Sequence, residues 1–372
     1  MTKLGVLFSV LGVGAGCIPA FAQKQLPNII VMLSDDQGWG DLGFTGNTFV
    51  QTPNIDRIAH EGTILENFYV CPVSSPTRAE FLTGRYHVRS GVNSTTGGGE
   101  RFNLGEKTIA EYFREAGYAT SLFGKWHSGT QYPYHPNARG FEEFYGFCSG
   151  HWGNYWNPVL EHNGEIISGE GFIIDDLTDK ALDYIRDHKE HPFFMFLSYN
   201  TPHSPMQVPD SWWNRVKDRT LSQRATFPEQ EDTTFTKAAL ALAENLDWNI
   251  GRVLSLLHSL DLEQETIVIY FSDNGPNSFR WNGGMKGRKG STDEGGVRSP
   301  FCIRWPGHIR KGAVETQLSG AIDLIPTLLG LAGIEYTPLR KLDGIDWGQR
   351  LLDEKAPAMD RVLYSYWGGK TS

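Results

Sequence analysis

Three short apolar runs constrain the fold of this sequence more than any other feature: residues 28–33 (NIIVML), Phe193–Ser198 (FFMFLS) and 266–271 (TIVIYF). Each has the length of a strand and almost no polar interruption, so each reads as a strand buried in a sheet. Stretches with helical spacing lie between them. Residues 107–118 read as an amphipathic helix, 178–189 as another, and 235–260 as a long helix whose Leu242, Leu246, Ile250, Val253 and Leu257 form one apolar stripe. Residues 119–126 read as a further strand. Strands alternating with helices predict an α/β fold with a sheet wound by helices on both faces. At 372 residues the chain can bury a large core in one or two domains.

Two of the strands run straight into acid-rich ends. SDDQGWGD, with Asp35 and Asp36, follows the first, and SDNGP, with Asp273 and Asn274, follows the last. Functional groups in open α/β sheets collect at the carboxyl ends of strands. Adjacent aspartates are costly to hold together without a cation, and an all-oxygen donor set suits calcium or magnesium. Either pair alone would read as a solvated turn; together they predict one cation site, with calcium favoured if the cage is roomy.

Residues 70–85, VCPVSSPTRAEFLTGR, hold the densest local chemistry. Pro76 fits the first turn of a helix, and Ser74 or Ser75 is expected to cap that turn. Exposed N–H groups and the helix dipole favour an anion there, and Arg78, one turn on, adds a fork of donors. Without further context the same residues also fit a capped surface helix with a stray arginine.

Composition narrows the class. Forty-two glycines and 11 tryptophans with 40% apolar residues describe a loop-rich globular chain, and a formal net charge of −9 argues against nucleic-acid coating. Residues 1–22 read as a signal peptide: Lys3, an apolar run, then AFA before Gln23. Export to a periplasm or secretion follows. Gly14 stands where a lipid-attachment motif at Cys17 needs a larger aliphatic residue, which argues against anchoring. No other stretch is long and apolar enough to span a bilayer. Cys71, Cys148 and Cys302 then read as buried small hydrophobes rather than a disulfide framework.

SSPTRAEFLTGR resembles the signature of type I sulfatases, formylglycine-dependent members of the alkaline phosphatase superfamily, in which Cys or Ser followed by x-P-x-R, with a later TGR, is oxidised to formylglycine. Ser74 is in register with Pro76 and Arg78. Cys71 is not, because Val73 stands where proline is needed. Further along, GKWH (Lys125, His127), the YNTPHSP loop (His203) and KGSTDEGGVRSP (Lys289, Glu294, Arg298) match family elements in the same order. The resemblance runs from Asn28 to about Asp346 and implies a large mixed, mostly parallel sheet sandwiched by helices. It assigns one calcium ion to Asp35, Asp36, Asp273, Asn274 and position 74, and catalysis to Ser74, Arg78, Lys125, His127, His203 and Lys289. A hydrate oxygen at position 74 would attack sulfur, the alcohol would leave with a proton from His203 or Lys289, and His127 would help release sulfate. A maturation enzyme that oxidises serine is the implied partner. Glu294 and Arg298 are expected to hold their loop. Domain expectations are a catalytic unit over residues 23–346 and the start of an abbreviated or truncated C-terminal subdomain over 347–372.

The aromatic, amide-bearing stretches 145–158 and 279–282 suit sugar faces or simply core. His151, Trp152, Tyr155, Trp281 and Asn282 are the resulting pocket candidates. The expected substrate is a sulfate ester, on a glycan of galactose or N-acetylgalactosamine type or on an aryl group. Two rivals stand beside this: a phosphatase or phosphodiesterase using unmodified Ser74 and metal, and a non-catalytic binder of sulfated glycans.

Overall fold

The computed structural model describes residues 1–2 and 26–372, so the expected leader over 1–22, with Cys17, lies outside the described residues apart from Met1 and Thr2. In chain order the strands are β1 (Asn28–Ser34), β2 (Thr63–Leu65), β3 (Phe68–Tyr69), β4 (Ala119–Lys125), β5 (Glu143–Phe147), β6 (Val159–His162), β7 (Glu165–Ser168), β8 (Phe193–Ser198), β9 (Thr266–Ser272), β10 (Phe301–Arg304) and β11 (Ala313–Glu315). The helices used below are α1 (Pro53–Glu61), α2 (Ser74–Thr83), α3 (His87–Ser90), α4 (Ile109–Glu115), α5 (Ile173–Asp187), α6 (Asp210–Val216), α7 (Thr233–Ser259), α8 (Glu294–Val297) and α9 (Leu324–Ala332).

Ten strands form one sheet in the order β11-β2-β10-β9-β1-β8-β4-β5-β6-β7. Its centre, from β9 through β1, β8 and β4 to β5, is parallel throughout. β10 pairs antiparallel to β9 on one side, and β6 and β7 continue antiparallel beyond β5 on the other. The central apolar runs are explained by helices on both faces. Successive strand residues point to opposite sides, so Ile29, Val31 and Leu33 pack with Phe81 of α2, Phe113 of α4 and Leu328 of α9, while Ile30 and Met32 pack with Ile58 of α1, Leu177 of α5 and Leu246 of α7. The expected stripe on α7 is buried in full.

Helix boundaries moved where caps decided them. The helix expected over 107–118 occupies Ile109–Glu115 because Thr108 and Glu111 form a reciprocal capping box. The helix expected over 178–189 begins earlier, at Ile173, with Asp175 and Asp176 in its first turn, where the helix dipole favours acids. Past residue 346, Trp347 and Leu351 join the core around α9, and Tyr366–Trp367 pairs antiparallel with Lys370–Thr371 in a hairpin. Among the described residues no helix is long and apolar enough to cross a membrane.

Candidate active site

The parallel register of β1 and β9, with Ser34 opposite Ser272, carries both acidic ends to one edge of the sheet. Asp35, Asp36, Asp273 and Asn274 are completely buried there. Asp36 adopts a left-handed conformation, φ 65°, which a non-glycine residue keeps only where its surroundings hold it. Its amide donates to Asp273 Oδ1 at 3.2 Å, and its Oδ1 accepts from Asn274 Nδ2 at 2.9 Å. Asp35 Oδ1, Asp36 Oδ2 and Asn274 Oδ1 have no hydrogen-bond partner. Buried oxygens left this way cost free energy. Their chemistry and clustering fit a hard divalent cation.

Helix α2 meets this edge end-on. Ser74 is its first residue, but neither Ser74 nor Ser75 caps it, contrary to expectation; Val73 occupies the cap position without a side-chain bond. Ser75 Oγ instead donates to the Ser94 carbonyl at 2.9 Å. Thr77 Oγ1 accepts from Cys71 N at 2.8 Å and donates to the Asp273 carbonyl at 2.6 Å, tying the helix start to the acidic edge. Every residue of α2 is buried, so it is no surface helix.

The Ser74 hydroxyl is held from two sides. Arg78 Nε donates to Ser74 Oγ at 2.8 Å, and His127 Nδ1 lies 3.1 Å from the same oxygen. His127 Nε2 faces the Thr95 carbonyl at 2.9 Å. A carbonyl only accepts, so Nε2 carries the ring proton and Nδ1 of the neutral ring accepts from the hydroxyl. His127 also has a left-handed backbone, φ 59°. Gly150 makes room for its ring, since a Cβ there would lie 2.1 Å from Nε2.

Cations complete the constellation. Arg78 Nη1 donates to the Lys125 carbonyl at 2.9 Å and to Ser198 Oγ at 2.6 Å, while Nη2 reaches Asp273 Oδ2 at 3.3 Å. Lys125 Nζ bonds Asp35 Oδ2, and Lys289 Nζ lies 2.5 Å from Asp36 Oδ1. His203 Nδ1 donates to the Ser204 carbonyl at 2.6 Å, leaving Nε2 3.6 Å from Asp36 Oδ2. The structure therefore brings together all ten of the expected metal and catalytic side chains.

Electrostatics divides their roles. Burial alone would raise Asp35, but Lys125, His203, Arg78 and Lys289 outweigh it and hold its carboxyl well below the usual range. Burial, then the charge of Asp35, pushes Asp273 up to about 6 against Arg78 and Lys125. Burial lowers Lys125, with Asp35 opposing. Burial and the charge of Lys125 take His127 well below the ordinary histidine value, so its ring is neutral at neutral pH. For Lys289, burial is outweighed by Asp36 and Asp35, and its ammonium is retained. The site joins fixed positive charge, a neutral base and a hydroxyl, as transfer of an anionic group requires.

A protein-family model described as Sulfatase matches residues 27–334. The chain belongs to the sulfatase family. The N-acetylgalactosamine-6-sulfatase of Mus musculus is 32% identical over 402 residues, an alignment covering 98% of this chain and 72% of that protein. Among solved structures, Ps i-CgsB in complex with k-i-k-neocarrahexaose superposes with a TM-score of 0.77 at 32% identity, over 88% of this chain and 76% of the other. PsFucS1 sulfatase from Pseudoalteromonas sp. superposes with a TM-score of 0.79 at 26% identity, over 92% and 75% of the two chains. As a sulfatase this protein is a sulfuric ester hydrolase with the alkaline-phosphatase-like α/β fold.

In this sulfatase Ser74 opens into a cleft of about 480 Å³ that Lys125, His127, His203 and Lys289 also line. Of the five pocket candidates only His151 lines it; Trp152, Tyr155, Trp281 and Asn282 do not. Trp152 stacks on Phe147 with ring centroids 4.9 Å apart. Tyr155 is buried and donates to the His203 carbonyl at 2.8 Å, holding that loop from behind. Trp281 borders a separate small cavity beside Arg280. Asn282 accepts from Gly40 N at 2.9 Å and donates to the Gly295 carbonyl at 3.0 Å. Sequence reasoning missed Thr95, Thr96 and Trp367 on the cleft wall, none of which lies in a motif. It also missed Ser198, whose signal was available as a hydroxyl closing an otherwise apolar strand. Glu294 accepts from Tyr69 Oη at 2.8 Å, and Arg298 Nε donates to the Glu66 carbonyl at 2.9 Å, so both tie down the loop that presents Lys289.

Proposed function

We propose that the protein hydrolyses sulfate esters of a glycan, using a formylglycine made from Ser74 beside one bound calcium ion. The observation that carries this reading is the Ser74 hydroxyl held between Arg78 Nε and His127 Nδ1 in a cleft also lined by Lys125 and Lys289. Asp35, Asp36, Asp273 and Asn274 would hold the calcium, and their unpartnered oxygens support that assignment. Bound there, the ion would act as a Lewis acid towards the sulfate oxygens. Oxidation of Ser74 replaces one weakly nucleophilic hydroxyl with a hydrate bearing a geminal pair. His127 Nδ1, already facing that position, would accept the proton of the remaining hydroxyl as sulfate departs. Arg78, Lys125 and Lys289 neutralise the sulfate oxygens as charge develops. Lys289, or His203 Nε2 in the imidazolium form with Nδ1–H on the Ser204 carbonyl, is placed to give the departing alcohol a proton.

The glycan assignment is supported by the N-acetylgalactosamine-6-sulfatase relative and by the saccharide in the Ps i-CgsB complex. Export through the N-terminal leader, and maturation by a serine-oxidising enzyme met on that route, belong to the same reading. The test is sulfate release from 6-O-sulfated N-acetylgalactosamine by protein made alongside such a maturation enzyme. Release is expected, and Ser74→Ala should abolish it. Turnover retained by Ser74→Ala, or faster phosphate release from the corresponding phosphate ester, would sink the proposal.

A further inference from the structure

The cleft has one aromatic wall that no motif announces. Trp367 lines it together with His151, Thr95, Thr96, Ser74 and Lys289. The Trp367 ring is fixed from outside the catalytic cluster. Its hairpin, Tyr366–Trp367 against Lys370–Thr371, is pinned at both ends. His87 Nε2 lies 3.1 Å from the Tyr366 carbonyl, and the His87 ring sits 6.3 Å from the indole. Ser372 Oγ donates to the Thr292 carbonyl at 2.7 Å, on the loop that carries Lys289. Tyr364 N donates to Tyr86 Oη at 3.3 Å, and the two rings meet edge to face at 6.2 Å. The hairpin thus bridges the turn after α2 and the lysine loop, and presents an indole to the cleft into which Ser74 opens.

We propose that Trp367 is the sugar platform of this cleft: it stacks on the apolar face of the pyranose ring whose sulfate is held at Ser74, and so selects saccharide over small alkyl sulfates. The proposal rests on the glycan sulfatase reading above and adds a residue to it. An indole suits the role because its broad flat face and few rotatable bonds give large contact at little ordering cost. The cluster around Ser74 recognises only the sulfate, which every sulfate ester shares. Discrimination among alcohols must come from the walls, and Trp367 is the wall residue with the largest flat apolar surface. The indole touches the part of the substrate that changes least during the reaction, so its contribution is uniform binding, which enters KM rather than kcat.

The test compares wild type, Trp367→Ala and Trp367→Phe on 6-O-sulfated N-acetylgalactosamine, with inorganic sulfate as a competitive inhibitor. Loss of one stacked ring should raise KM about tenfold in Trp367→Ala with kcat changed by less than about twofold. Trp367→Phe should recover most of that loss, and the inhibition constant of sulfate, which has no ring to stack, should be unchanged. An unchanged KM in Trp367→Ala, or a sulfate constant that weakens in parallel, overturns the proposal; the second result would mean that the hairpin only shapes the anion site. Calorimetric binding of the same sugar sulfate separates the two levels. Wild type that binds it through Trp367 but releases no sulfate contradicts the hydrolase reading alone. Turnover that ignores Trp367 contradicts the platform alone.

Discussion

Arg78→Lys preserves charge and removes geometry, and so isolates what the buried fork contributes. Arg78 is fully buried and donates to Ser74 Oγ, the Lys125 carbonyl, Ser198 Oγ and Asp273 Oδ2. A lysine ammonium offers a compact point charge and cannot reach these directions together. Losing two charge-assisted hydrogen bonds, at about 1.5–3 kcal/mol each, should destabilise the fold by about 3–6 kcal/mol. That is a large part of an ordinary domain's stability of about 5–15 kcal/mol, yet leaves a folded protein. The donor to position 74 would also be misplaced where charge develops, lowering kcat/KM by about 10²–10³-fold. Denaturant unfolding followed by tryptophan fluorescence, with initial rates on a sugar sulfate, reads both quantities. An Arg78→Lys protein with a wild-type midpoint and kcat/KM within about twofold would refute the argument that the fork, and not the charge, organises this site.

Three further outcomes follow from the same geometry. Chelation of calcium should lower both the melting temperature and activity, and Asp36→Asn should weaken calcium binding at least about 10–100-fold in a melting-temperature titration; a melting temperature indifferent to calcium in wild type would remove the ion from the account. His127 is held neutral below the ordinary histidine range by burial and Lys125, so the acid limb of the kcat profile should lie below about pH 6.5, and a limb at or above that value contradicts its role as base. Burial raises the Glu80 carboxyl of α2 from 4.5 to about 8. Its stabilising contribution is therefore complete below about pH 4.5 and declines, by on the order of a few kcal/mol, as pH rises through about 8. Glu80→Gln should flatten that slope in urea midpoints measured across the range, and an unaltered slope would show that Glu80 does not titrate there.

The chemistry was legible in the sequence where it is local. Asp35, Asp36, Asp273 and Asn274 each follow an apolar strand directly, so the sheet that buries the strand also places the acids. Lys125 and His127 flank Trp126, and the polar pair reaches the site while the indole enters the core. What was not legible depends on contacts between distant segments. Ser75 looked like a cap and is a donor to the Ser94 carbonyl, while Thr77 joins the helix start to Asp273. Tyr155 and Asn282 looked like sugar contacts, but their polar groups are taken up by backbone partners at His203, Gly40 and Gly295. Trp367 stands far along the chain from every motif and reaches the cleft only because its hairpin folds back onto α3 and the lysine loop. Local pattern placed the reactive groups, while tertiary packing chose the walls.

The most direct test of the central claim is the mass of the peptide spanning residues 71–78 from protein produced with its own maturation route. A loss of two hydrogens at Ser74 is expected in the aldehyde form, and a net gain of one oxygen in its hydrate. An unmodified serine in protein that releases sulfate at full rate would contradict it, because the hydroxyl held between Arg78 and His127 would then itself be the nucleophile.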